Sequence, residues 1–136
     1  MSNPLARTVD SVIFAGTTAA TVTMAGTLDC QDAMYAMITV AVSAEANTNS
    51  TNVVIALNES DDTVVTNFAT FDADHARTID NTAAAIGTFA VDCRGRKRYL
   101  RLLATPDTTT NGAVIVSATG HLLKIHDGAI AATKTV

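Results

Sequence analysis

Along most of the chain, apolar runs of four to eight residues alternate with short clusters of Asn, Asp, Gly and Thr, the spacing of an all-β protein. Residues 11–14 and 21–28 form the first two candidate strands, with Val22, Met24 and Ala25 set among Thr21 and Thr23 and with Gly26 weakening the far end. Gly16, Thr17 and Thr18 read as the turn between them. Residues 35–43, YAMITVAVS, carry Met37 or Ile38, Val40 and Val42 and are mostly apolar on both faces, as expected of a strand central to a packed sheet. Residues 52–59 are its expected partner, and the Asn-rich stretch 44–51 between the two is an exposed loop.

Further on, 64–71 reads as a weak strand and 72–85 as irregular, either a helical turn or a crossover loop. Three more strands are expected at 88–91, 99–104 and 113–125, joined by a basic turn at Arg94-Gly95-Arg96 and by the polar loop 106–112, PDTTTNG. Seven or eight short strands with turns this frequent fit an all-β, two-sheet β-sandwich or jelly roll. No internal repeat suggests a propeller or solenoid. The expected organisation is an N-terminal arm at 1–10, the sandwich at 11–126 and a C-terminal tail at 127–136, both ends being small or polar.

Composition sharpens this picture. With 24 Ala and 22 Thr against four Phe, two Tyr and no Trp, the interior must be built from small and β-branched side chains, which suits strands better than helices. At 136 residues one domain can bury an adequate core. The N-terminus lacks the pattern of a secretory leader and no long apolar run occurs, so synthesis and retention in the cytoplasm, with no membrane span, are expected. In such a chain Cys30 and Cys93 are expected to be free thiols.

Candidate chemistry is sparse. Cys30, Cys93, His75, His121 and His126 lack the paired spacing of a zinc site. Asp72-Ala73-Asp74-His75 gathers three possible ligands but lacks the glycine and distal Glu of a calcium loop, so it reads as a solvated acidic loop. His121 and His126 flank apolar residues near a strand end, where a backbone hydrogen bond suffices. No nucleophile elbow, phosphate loop or dinucleotide fingerprint occurs, so no enzyme, cofactor or metal is expected. Six aromatic residues are also few for a sugar-stacking cleft.

One dense feature remains. Arg94, Arg96, Lys97, Arg98 and Arg101, five of the nine basic residues, fall within eight positions of a chain whose net charge is -4. They are either a solvated turn that protects a strand edge or an electrostatic contact for an acidic protein surface. Contact with nucleic acid would call for more stacking aromatics than Tyr99.

Two segments carry a resemblance: Leu57-Asn58-Glu59-Ser60-Asp61-Asp62, and Val91-Asp92 through Arg96-Lys97-Arg98-Tyr99-Leu100-Arg101, followed by Thr105-Pro106. Together they resemble small virion proteins of tailed bacteriophages, over about residues 28–125, and most closely capsid decoration (cement) proteins. The resemblance implies a non-catalytic structural protein on the outer capsid surface, bound to the major capsid protein and oligomeric, with a trimer favoured and no nucleic-acid or membrane partner. The alternatives are a tail, neck or fibre-attachment component, or a host-surface or glycan-binding β module.

Overall fold

The computed structural model describes residues 5–18, 22–44, 50–71, 76–108 and 114–126. Nine strands run through them: β1 (Leu5–Thr18), β2 (Met24–Asp29), β3 (Ala33–Val42), β4 (Ser50–Ser60), β5 (Ala69–Thr70), β6 (Arg77–Asp80), β7 (Ala85–Asp92), β8 (Tyr99–Thr108) and β9 (Val114–His126). They form a two-sheet sandwich, as the alternation predicts. The first sheet has the order β1-β9-β3-β7. The second has the order β2-β8-β4, with β5 and β6 both pairing with the free side of β4, β5 at its C-terminal end and β6 at its N-terminal end. Every strand pair is antiparallel.

The core lies between the sheets and is made largely of small and β-branched side chains. The first sheet contributes Ala36, Ile38, Val40 and Val42 from β3, Val114, Val116, Ala118 and Leu122 from β9, and Phe89 and Val91 from β7. Val53, Ile55 and Leu57 from β4 and Leu100, Leu102 and Ala104 from β8 face them. Buried residues recur at every second position, so pleat and register carry the whole apolar set inward together.

The chain changes sheet at almost every connection, which overturns several local expectations. β3 does not pair with β4; it lies between β9 and β7, while β4 is central to the other sheet. Gly16, Thr17 and Thr18 are not a turn, because the 13-residue β9 offers them partners at Val116, Ile115 and Val114 and β1 runs straight through. For the same reason Leu5–Asp10 of the expected N-terminal arm is sheet, paired with His126 down to His121. The register shift in β1 between Val12 and Phe14 allows both Ile13 and Phe14 to pack on the core.

The second sheet also departs from expectation in places. The weak strand at 64–71 is a 3-10 turn at Val65–Asn67 followed by two-residue β5, and part of the irregular segment is strand β6. β8 continues through Pro106 to Thr108 instead of stopping in a loop. Among the described residues the β2 ladder reaches β8 only as far as Ala104, so Pro106 has a ladder partner on the β4 side alone, a setting in which a strand tolerates proline. Residues 45–49, 72–75, 109–113 and 127–136, which include the Asp72–His75 cluster and the C-terminal tail, lie outside the described residues.

Two glycines mark close approach between the sheets. A Cβ on Gly26 of β2 would sit 2.3 Å from the Ile13 carbonyl oxygen, whereas one on Gly120 of β9 would meet only the Leu28 methyls, at 2.8 Å and 2.9 Å. Backbone cannot move aside as a leucine side chain can. Gly26→Ala is therefore expected to destabilise the fold by about 2–3 kcal/mol, and Gly120→Ala by clearly less, measured by urea unfolding. Equal costs would contradict the close approach of β1 and β2.

Candidate functional site

The basic turn connects β7 to β8, and the chain around it supplies an acid for most of its cations. Arg94 is held by Asp92, two residues earlier, through Nε to Oδ1 at 2.9 Å and Nη2 to Oδ2 at 2.6 Å, and it also donates to the Tyr35 hydroxyl at 2.6 Å. Its guanidinium lies 4.9 Å from the Tyr35 ring centre. Arg98 makes a two-point contact with Asp29 at the end of β2, at 3.0 Å and 2.8 Å, and stacks on Tyr99. Arg96 pairs with Glu59 at 3.8 Å and lies 3.9 Å from the Phe71 ring centre, and Lys97 pairs with Asp61 at 3.8 Å. Arg101 of β8 lies over Phe68 at 5.7 Å and is the one member of the five without an acidic partner among the described residues.

The two segments that carry the virion-protein resemblance are thus a single contact. β4 ends where β8 begins, with Ser60 opposite Tyr99 and Glu59 opposite Leu100, so Glu59 and Asp61 of the first segment meet Arg96 and Lys97 of the second. Asp62 then organises the following turn, accepting from the Val64 N–H at 2.9 Å and the Asn67 side-chain amide at 2.8 Å. Four of the five basic residues lie in the turn between β7 and β8, and Arg101 lies on β8. Their charge is largely spent inside the molecule, which leaves little unpaired positive field at the turn.

These contacts set the carboxyl acidities. The hydrogen bond from Arg94 is the main reason that Asp92 is held down to about 2. The Arg98 side chain likewise lowers Asp29, outweighing the opposing effect of its partial burial, and raises its own affinity for the proton in turn. Asp62 is lowered chiefly by Asn67, and Asp80 by the Thr82 backbone.

The feature that sequence reasoning missed is the outer face of the first sheet. Register places Thr8, Leu123, Tyr35 and Asp92 in one row across β1, β9, β3 and β7, then Asp10, His121, Met37 and Ala90, then Val12, Thr119, Thr39 and Thr88. A shallow apolar depression of about 410 Å3 opens between Tyr35, Met37, Ala90, His121 and Leu123. The carboxylates in these rows have partners within the molecule, Asp92 an ion pair with Arg94, and Asp10 a hydrogen-bond contact with His121 Nδ1 at 2.8 Å. Met37 is 50 % exposed, and Val12, Ile86 and Ile115 on the same sheet are also exposed. The apolar character of both faces of 35–43 was the available signal, but it points equally to burial on both sides.

Among the described residues, no group of three or more His, Cys, Asp or Glu side chains is placed to hold a metal ion, and no helix is long and apolar enough to cross a membrane. Cys30 and Cys93 are free and buried.

No protein-family model matches the sequence, and no curated protein matches it. The fold is distantly similar to β-sandwich domains in several solved structures. The PBSX exported protein XepA aligns with a TM-score of 0.52 at 12 % identity, covering 88 % of this chain and 38 % of XepA, so the chain spans little more than a third of that protein. A domain of tripeptidyl peptidase 2 aligns with a TM-score of 0.52 at 9 % identity, covering 90 % of this chain and 10 % of the peptidase. The SPBc2 prophage-derived protein YomS aligns with a TM-score of 0.48 at 15 % identity, covering 91 % of this chain and 99 % of YomS. At these identities the likeness defines the class, a two-sheet β-sandwich, and nothing finer.

The ion pairs at the turn make stability depend on pH with a definite sign. Asp29 and Asp92 have folded-state values below the ordinary 3.8, so their contribution is present above that value and disappears as pH falls through the lowered ones. Stability is expected to decline between about pH 5 and pH 2, and Asp29→Asn should flatten part of that decline, read from unfolding midpoints across the range. An Asp29→Asn profile parallel to that of the unaltered chain would mean the Arg98 contact is absent in solution.

Proposed function

We propose that the chain is a non-catalytic structural virion protein that binds the outside of a phage capsid lattice and stabilises the head, as a decoration or cement protein. The observation that supports this reading is the outer face of the first sheet, an exposed apolar surface around Tyr35, Met37 and Leu123 whose carboxylates are hydrogen-bonded within the molecule. Burying such a face against another protein gains apolar area, and its carboxylates already have hydrogen-bond partners within the molecule. Chemistry-bearing side chains at the basic turn are engaged in holding the fold. The motif pair Glu59-Ser60-Asp61-Asp62 and Arg96-Lys97-Arg98-Tyr99, which resembles small virion proteins, forms one structural unit. The partner in this reading is the major capsid protein, and the decorating unit is an oligomer, with a trimer favoured. Repeated copies on a lattice gain avidity, so each interface can be modest. Arg101 alone of the basic cluster has no acidic partner among the described residues, but it stands on β8 of the second sheet and so away from this face.

Purified protein mixed with undecorated heads of its phage should bind saturably. Met37→Asp should weaken that binding by about tenfold or more without lowering the unfolding midpoint appreciably, because the side chain is exposed in the free protein. Absence of saturable binding to heads, or density for the labelled chain on tails in electron micrographs, would overturn the assignment.

A further inference from the structure

The two cysteines occupy equivalent places in two connections of the same design. After β2, Asp29-Cys30-Gln31-Asp32 carries the chain from the second sheet to the first; after β7, Asp92-Cys93-Arg94-Gly95 carries it from the first to the second. In each, the aspartate Oδ1 accepts from the backbone N–H two residues on, Gln31 or Arg94, both at 3.0 Å. In each, the cysteine carbonyl accepts from the third residue on, Ala33 at 3.0 Å or Arg96 at 3.2 Å. In each, the second residue after the cysteine has a positive φ, 61° at Asp32 and 76° at Gly95.

The two connections also clasp each other. The Cys30 N–H donates to the Arg98 carbonyl and the Cys93 N–H to the Met34 carbonyl, both at 2.8 Å, each acceptor being the residue just before a tyrosine, Tyr99 or Tyr35. Each sulfur lies back toward the carbonyl two residues earlier, at 3.9 Å from Leu28 O and 3.8 Å from Val91 O. The arrangement is a local two-fold that brings both buried thiols to the same end of the core, where each is the main influence on the other's acidity.

We infer that Cys30 and Cys93 form a latent disulfide site, which a small-molecule disulfide converts into a covalent staple between the β2–β3 and β7–β8 connections. The mutual influence runs in the direction the chemistry needs: the neighbouring thiol and burial hold Cys30 protonated, while Cys30 lowers Cys93 toward its thiolate. The Cys93 thiolate attacks the reagent disulfide and expels one reagent thiolate, giving a mixed disulfide. Cys30 passes its proton to the expelled thiolate, then attacks the Cys93 sulfur and expels the second, which takes up the proton lost from Cys93. The pair is oxidised by two electrons and the reagent is reduced to two thiols. In a reducing cytoplasm the thiols persist, and in an oxidising medium the staple closes.

Reduced protein incubated with excess oxidised glutathione should lose the mass of two hydrogens, remain a single chain on a non-reducing gel, and gain on the order of 10 °C in unfolding midpoint, since the bond joins residues 63 positions apart. Dithiothreitol should reverse all three changes. Cys30→Ser and Cys93→Ser should fold with the reduced protein's midpoint and show no oxidant-dependent gain. Should either variant fail to fold, the mass change and its reversal in the unaltered chain decide the matter alone. Thiols that persist in the folded protein but react fully in denaturant, a mixed disulfide that never closes, or disulfides between chains would each overturn the inference.

Discussion

The whole structure rests on a chain that crosses from one sheet to the other at nearly every connection. β1, β3, β7 and β9 make one sheet, and the strands between them in sequence make the other, so no sheet can be completed from a contiguous stretch. Each crossing must find its place against a core of Val, Ile, Leu and Ala, whose small volumes let the two layers lie close. Gly26 against the Ile13 carbonyl shows how close that approach becomes. A core of large aromatics would hold these layers apart. The scarcity of Trp and Tyr in the sequence and the tightness of the sandwich are therefore one fact seen twice.

Two of these crossings meet at one end of the sandwich and account for most of the polar chemistry. Asp29 and Asp92 cap their own turns and at the same time hold Arg98 and Arg94, so one carboxylate serves both backbone and side-chain donors. Glu59 and Asp61 reach the same place from the end of β4. Five cations crowded into eight positions would repel one another if left alone. With acids supplied from β2, β4 and β7 they become a structural corner, and Arg96, Arg98 and Arg101 cover aromatic rings there. The exposed apolar face of the first sheet lies elsewhere, on its outer side, where pleat geometry forces every second residue of β3 and β9 away from the core.

Period-two alternation, turn residues and composition are enough to show an all-β sandwich built from small side chains, and the strands β3, β4 and β9 begin and end near where the pattern of residues places them. The density of basic residues at 94–101 was equally plain. Pairing was not, because a strand's own residues state which faces are apolar and not which strand lies beside it. Hence the pattern pairs residues 35–43 with their neighbour in sequence, although β9 and β7 flank them. Only the tertiary structure brought Asp29 to Arg98 across 69 positions, tied Cys30 to Arg98 and Cys93 to Met34, and left Met37 in solvent while Ile38 beside it is buried. Alternation is a local property written in adjacent residues, whereas charge compensation and exposure depend on which distant segments the fold makes neighbours.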